Sequence, residues 1–435
     1  MRIKKIKRSR IIKCVLVFCL FCFANISQAA PSISAVNGTI SHGNSVMISG
    51  IEFGTKTTAL PNLWDTVENQ YSGLSNDAKI PVGSDYPWEG NIYNATKYNS
   101  IRSEQRGKSS ANYHSSGGVN AMSTHYVPGA NYLYISWWWK ADANVFVSDQ
   151  LPCSFDDSTD SITVANHEYV EDNPVMFFAG GELPVNINPG DTYYVKNPTA
   201  DTFQIYAPWT DKATFSFGSN GIGTNYVATR NHSSKFLRVS DHSDIVNKTF
   251  SWTQQQAYVY DNPNVFGNVW RENNPAINVW HFFEAIFDSV NRTYTLLVDG
   301  VAMYDVIDWA GADLVFNEIW AIGWHTGGVY SPTLVKTWMD DIYVDNTPSR
   351  VVIGNAPTYS TCNHLEVQPA TAWNSNGQSI TISLNQGSFP DGSTAYLYVV
   401  HSDGTANETG HPITFGNSGS EDAIAPAVPS GLAVN

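Results

Sequence analysis

Cysteine is scarce in this chain. Five occur in 435 residues, and three of them (Cys14, Cys19 and Cys22) lie within the first 29. Only Cys153 and Cys362 remain beyond that point, too few for a disulfide framework. A single bridge between them stays open in an oxidising compartment, although they stand far apart and fall in different segments. Charge is also scarce, at 14% of residues. No long stretch carries the 3.6-residue apolar period of a helix. No P-loop, dinucleotide fingerprint, Ser-His-Asp order or Cys/His zinc spacing stands out, so nothing points to nucleotide, triad or zinc chemistry. The one extended apolar run, CVLVFCLFCFA, is too short to span a bilayer comfortably.

That run follows a basic start, MRIKKIKRSRIIK, and precedes the small residues of Ser27-Gln28-Ala29. The pattern predicts a secretory leader over residues 1–29 and a secreted or cell-surface protein, with no membrane insertion once the leader is cleaved. The leader holds seven of the 24 basic residues, so the rest carries 17 against 39 acidic ones, a net charge of −22. Such a surface repels phosphate backbones and anionic lipid, which makes nucleic acid and membrane poor partners. It can attract calcium. Aromatics reach 13%, which fits a β-rich extracellular protein and not a disordered one.

What is present reads as β throughout. Short apolar bursts alternate with Gly, Asn, Asp and Pro clusters. From Trp280 to Asp345 the chain reads strand, turn, strand, tight turn, strand, with Asp299-Gly300 as the dipeptide of a two-residue hairpin. Tyr132 to Trp139 (YLYISWWW) is strongly β-prone. Residues 351–417 read as a last β module, with turns at Asp391-Gly392 and Asp403-Gly404. Residues 418–435 are a Gly/Ser/Pro-rich linker whose end, PAVPSGLAV, resembles the start of a fibronectin type III domain.

Several segments resemble known families. Trp280 and Phe283, YTLLVDG (Tyr294 to Gly300), EIWAIG (Glu318 to Gly323) and DDIYVD (Asp340 to Asp345) resemble the C-terminal half of concanavalin A-like, or laminin-G-like, jelly rolls. The resemblance implies an all-β jelly-roll sandwich of two packed sheets, assembled from residues 58–155 and 225–350. Residues 30–57 resemble the first strands of an IPT/TIG domain, without the remaining strands, and are expected to pack on the domain that follows. Residues 156–224, with GDTYYV and DTFQI, resemble a small β module of phage tail fibres and read as an insertion in a jelly-roll loop.

Candidate chemistry is sparse. On a strand, Arg102, Glu104 and Arg106 of SIRSEQR share one face, where two guanidiniums around a carboxylate can grip an acidic sugar. The same string resembles the arginine-rich motif of family 7 alginate lyases. That resemblance implies a Gln/His pair and a proton-moving Tyr, echoed only in Gln204-Ile205-Tyr206 and at Tyr330. A charge-paired solvent face is the more ordinary account of the string. Glu284 and Asp288 share a strand face, the form of a glycosidase pair or of an ordinary half-exposed strand. Asp340, Asp341 and Asp345 can supply hard oxygens, and Asp340 and Asp341 match the place where jelly rolls of this kind hold calcium. Trp137 and Trp139 point to one face and Trp138 to the other, as core, as cover for a neighbouring module, or as a sugar platform. Trp324, His325 and Tyr330 lie in a Gly-containing loop, WHTGGVY.

The expectation is therefore a secreted, modular protein that binds an extracellular polysaccharide or cell-surface glycan and serves adhesion. The ligand residues would be Arg102, Glu104, Arg106, Trp324, His325 and Tyr330, with calcium at Asp340 and Asp341. The balance leans against an enzyme. A polysaccharide lyase or glycoside hydrolase on acidic polysaccharide is one alternative, and a self-associating matrix or filament subunit is another.

Overall fold

The computed structural model describes residues 29–416, apart from 69–70, 72–77, 93–98, 103–105, 116–121, 143–149, 190, 208–209, 230–232, 242–247, 254–255, 262–263, 271–274, 308–313, 322–324 and 327–335. Its strands form three bodies, nested along the chain: a β-sandwich built from both chain ends, a jelly roll within it, and a closed barrel within the jelly roll. Among the described residues every strand pairing is antiparallel, and the one helical element is the 3-10 turn Tyr359–Thr361.

The jelly roll packs two sheets. The inner sheet runs Val301–Ile307, Thr293–Val298, His281–Asp288, Tyr132–Ala141, Thr337–Asp345, Asn112–Ser115, Asn99–Arg102, and Leu63–Asp65 also pairs with Thr337–Asp345. The outer sheet runs Asn264–Trp270, Gln256–Asp261, Thr249–Thr253, Ser233–Ser240, Phe316–Ala321, Met122–Ala130, Gly90–Ile92, with His325–Thr326 paired to Ser233–Ser240. One core lies between them. Trp88, Tyr113, Trp137 and Trp139 from the first stretch meet Phe236, Trp252, Phe283 and Tyr304 from the second. The Trp137 ring lies 5.4 Å from Phe283 and 5.8 Å from Trp252. The stretches 58–155 and 225–350 thus share one interior despite what separates them.

Alternation explains the Trp triplet. Trp137 and Trp139 enter this core, while Trp138 points out of the inner sheet into a second cluster with Tyr134, Phe282, Tyr343, Leu365 and Tyr398. Leu365 and Tyr398 belong to the end sandwich, so a neighbouring body covers Trp138. The hairpin at Asp299-Gly300 adopts positive φ at both positions, 52° and 75°, as its two-residue turn requires. Gly300 is needed twice over: a Cβ there would lie 2.7 Å from the Cys362 carbonyl oxygen.

The end sandwich corrects the expectation for residues 30–57. Ser32–Asn37 and Ser45–Ile51 do not stop as a fragment on the next domain. They join Ser379–Ser383 and Ala370–Trp373 in one sheet, opposite a second of Leu365–Gln368, Arg350–Gly354, Thr394–Val400 and His411–Thr414. Val46 stands across from Ile382 and Ile48 from Ile380. All four point into a core shared with Phe53, Ile353 and Leu397. Two strands alone cannot bury an apolar face in water, and the Ile-x-Ile alternation of 379–383 supplies the partner.

The barrel closes in the order Ser161–Thr163, Thr202–Tyr206, Tyr193–Lys196, Pro174–Phe178, Asn225–Thr229, Leu151–Asp156. It extends beyond residues 156–224 at both ends. Its first and last strands pair directly, Cys153 opposite Asn225, which lets Cys153, Phe155 and Val227 share the barrel core. Cys153 and Cys362 are both buried and free, in different bodies, and no bridge joins them.

Candidate functional site

Arg106 is not available to a sugar. It is 2% exposed, and its guanidinium is divided among three carboxylates. Nε donates to Asp340 Oδ2 at 3.0 Å, Nη1 to Glu366 Oε1 at 2.8 Å and Nη2 to Asp341 Oδ2. The Trp138 ring lies 4.7 Å from the guanidinium carbon, and Trp138 Nε1 donates to Glu366 Oε2 at 3.0 Å. Glu366 comes from the end sandwich and the rest from the jelly roll. The expected ligand residue is thus an interdomain lock.

A β-bulge makes this geometry. The register of Thr337–Asp345 against Tyr132–Ala141 shifts between Asp340 and Tyr343, and Asp341 has φ 47°. The extra residue lets two consecutive side chains leave the same face, where plain alternation would separate them. Met339 and Ile342 on either side still enter the jelly-roll core. The guanidinium takes up the carboxylate oxygens that calcium would need, with Asn385 Nδ2 also donating to Asp341 Oδ2 at 2.8 Å. Among the described residues no group of three or more His, Cys, Asp or Glu side chains is arranged to hold a metal.

Two further buried pairs lie along the same junction. Lys56 Nζ meets Asp345 Oδ2 at 2.6 Å. Arg350 lies over the Tyr134 ring at 4.0 Å and 3.9 Å from Glu284 Oε1, which accepts from the Tyr134 hydroxyl at 2.7 Å. Glu284 therefore faces the end sandwich, while Asp288 caps the following turn through the amides of Val290 and Asn291. They do not form a catalytic pair.

Of the other expected ligand residues, Glu104, Trp324 and Tyr330 lie outside the described residues. Arg102 ends an inner-sheet edge strand. His325 pairs with Ser234 beside the outer sheet. Gln204 and Tyr206 sit on the barrel, where Gln204 Oε1 accepts from Asn197 and the Tyr206 hydroxyl donates to Asp172 at 2.6 Å.

The outer sheet carries a constellation of its own. Its register aligns Gly90, Thr124, Trp320, Arg238, Ser251 and Tyr258 in one row across six strands. The next row holds Tyr126, Glu318, Ser240 and Thr249. Their neighbours Val239, Ile319, Phe250 and Val259 point into the core, so both rows face outward. The Arg238 guanidinium lies 4.9 Å from the Trp320 ring and its Nε donates to Ser251 Oγ at 3.2 Å. Ser240 Oγ donates to Glu318 Oε2 at 2.8 Å. Glu89 Oε2 accepts from the Tyr126 amide at 3.0 Å.

These outward side chains are graded in exposure. Ser251, Ser240, Thr249, Thr124 and Glu318 are buried, Trp320, Arg238 and Tyr258 are half-buried, and Tyr126 is 44% exposed. The polar groups at the centre point away from the core and are still buried, and the aromatic and basic side chains around them are the more exposed part of this face. The Tyr126 hydroxyl has its pKa raised, first by desolvation and then by the nearby Glu318 and Glu89 carboxylates. Flat aromatic faces, a guanidinium, hydroxyls and a carboxylate converge here on one surface. Reading alternation in FLRVS and EIWAI would have found Arg238, Ser240, Glu318 and Trp320; EIWAIG had served only as a marker of fold.

No protein-family model matches the chain, and no curated protein matches it. Among solved structures it is similar to the metal-free Emp46p carbohydrate recognition domain (9% identity, 65% of this chain and 98% of that one, TM-score 0.25). It is similar to the cellulose-induced protein Cip1 (13%, 64% and 96%, TM-score 0.25). It is similar to the botulinum neurotoxin serotype D ligand-binding domain in complex with N-acetylneuraminic acid (8%, 75% and 71%, TM-score 0.26). A sialidase is also similar, at 10% identity, 70% of this chain and TM-score 0.24; the chain spans 21% of its length. The chain is an all-β protein centred on a jelly roll, an architecture that stands on the strands and cores described above.

Proposed function

We propose that this chain is a glycan-binding protein whose recognition face is the outer sheet of the jelly roll. The row Thr124–Trp320–Arg238–Ser251–Tyr258 supports it above all. Indole and phenol rings offer flat apolar surface for the C–H faces of a pyranose, each with a polar handle. Arg238, half-buried, and the Tyr258 and Tyr126 hydroxyls supply donors and acceptors for its hydroxyls from rigid strands, at low ordering cost. The inner sheet has no such freedom, because the end sandwich covers its outward side chains Tyr134, Trp138 and Tyr343. The leader-like residues 1–29 and the acidic surface favour action outside the cell, as an adhesive or carbohydrate-capturing module.

The test is binding to a panel of soluble polysaccharides by isothermal titration, with the full chain and with Trp320→Ala. Stacking is worth about 0.5–1.5 kcal/mol beyond burial, so the variant should bind roughly tenfold more weakly while melting at an unchanged temperature. Unaltered affinity in Trp320→Ala would remove the outer sheet from recognition.

A further inference from the structure

We propose that Lys56 and Asp345 condense into an amide bond that ties the end sandwich covalently to the jelly roll. The inference is independent of what the outer sheet binds. The contact between the two side chains, their burial and the groups around them carry it.

Lys56 Nζ stands 2.6 Å from Asp345 Oδ2, and the two side chains are 1% and 3% exposed. Among the described residues, the lysine–carboxylate pairs Lys108–Asp391 and Lys212–Asp172 stand at the surface, where water competes for both groups. The other two cations of the junction, Arg106 and Arg350, are guanidiniums, which stay charged and offer no lone pair to a carboxyl. Lys56 is a primary amine. Burial lowers its pKa and raises that of Asp345, each against the pull of the partner. A proton passed from Nζ to Oδ2 turns the ion pair into a neutral amine and a carboxylic acid, the two forms that condense.

Both groups are held in place. Lys56 Nζ also donates to the Ala59 carbonyl at 2.9 Å and lies 5.8 Å from the Trp373 ring of the end sandwich. Asp345 ends the inner-sheet strand Thr337–Asp345. Its Oδ1 accepts from the Asn346 amide at 2.9 Å, and its Oδ2 from the Tyr343 hydroxyl at 2.8 Å. The roles divide by atom. As Nζ adds to Cγ, negative charge develops on Oδ1, where the Asn346 N–H already points. Burial keeps the Tyr343 hydroxyl protonated. It gives that proton to Oδ2 and takes one from Nζ. The Nζ–Cγ bond forms, the Cγ–Oδ2 bond breaks, and Oδ2 leaves as water with its two protons. Held contact makes this an internal reaction of the folded chain, with no other reactant.

The test is the intact mass of the purified full chain after denaturation, beside Lys56→Arg and Tyr343→Phe. Folded parent protein should weigh one water less than its sequence and verified N-terminus give. Protease digestion should yield a branched peptide joining the Lys56 and Asp345 fragments, which identifies the bond whether or not a variant folds. Lys56→Arg keeps the charge without the amine and should show the full mass. Tyr343→Phe keeps the ring and should slow closure by about a hundredfold, followed as the linked fraction against time after refolding. Folded parent at full mass, with both peptides linear, overturns the proposal. A loss of water that survives in Lys56→Arg also overturns it, because the loss then arises elsewhere. Equal rates in Tyr343→Phe and the parent overturn the proton transfer through Tyr343.

Discussion

Arg106 Nη1 and Glu366 Oε1 meet at 2.8 Å across the junction of two bodies, although 260 residues of chain separate them. The contact joins the jelly roll to the sandwich made by the chain ends. With Lys56–Asp345 and Arg350–Glu284 it makes three buried cation–carboxylate sites along one boundary. Trp138 and Tyr398 pack in the apolar cluster between them.

Removing Arg106 should be severe. Arg106→Met leaves Asp340, Asp341 and Glu366 buried without their cation, and uncompensated buried charge costs about 3–5 kcal/mol. Differential scanning calorimetry should show a lower melting temperature and a transition split between jelly roll and end sandwich. A single transition at the parental temperature would deny the lock.

The same cluster sets a pH dependence with two opposite arms. Burial raises the Asp341 carboxyl to about 6, against the pull of Arg106. A folded-state pKa above the unfolded one means tighter proton binding when folded, so this contribution is full below about 3.8 and lost as pH rises through 6. Burial acts the same way on Glu366, but Arg106, His364 and the Ser388 amide outweigh it and hold the carboxyl at about 2. Its contribution is present above about 4.5 and lost as pH falls toward 2. Melting temperatures from pH 2 to 8 should show the parent losing ground to Asp341→Asn between pH 4 and 7. The advantage of the parent over Glu366→Gln should vanish below pH 3. Parallel curves for all three proteins would contradict both assignments.

Calcium should not support the fold at Asp340 and Asp341. Their oxygens already accept from Arg106, Asn385 and the Asp341 amide. Adding EDTA, or millimolar calcium after EDTA, should leave the melting temperature unchanged. A calcium-dependent rise abolished by Asp340→Asn would restore the metal assignment.

Both thiols should be silent in the native protein. Burial pushes the Cys153 thiol up to about 12, and Cys362 lies against Ala356, Thr358 and Tyr398. Ellman's reagent should find no reactive thiol at pH 8 in native protein with the leader removed, and two after denaturation. One or none after denaturation would mean a bridge or other modification.

Much of the architecture was legible because period-2 alternation is local. Tyr132–Ala141, Asp299-Gly300 and the Trp280 to Asp345 signals fell where they were read. The chain-end sandwich was not legible, because nothing in residues 30–57 says that the partner strand is 379–383. Register between remote strands is set by matching apolar faces, a pairwise property. Arg106 was misread for a related reason. SIRSEQR looked like a charged face, yet whether Arg106 meets solvent or Glu366 depends on a body formed much later in the chain. The bulge at Asp341, which brings two neighbouring carboxylates to one side, breaks the very alternation by which strands are read.

Met47 pairs with Thr381, so its strand must wait for a partner synthesised much later. Synthesis exposes Val46 and Ile48 long before Ile380 and Ile382 arrive to shield them. Jelly roll and barrel can assemble in the interval, and closure of the sandwich follows them. A chain truncated before residue 379 would then carry a permanently unsealed, sticky edge.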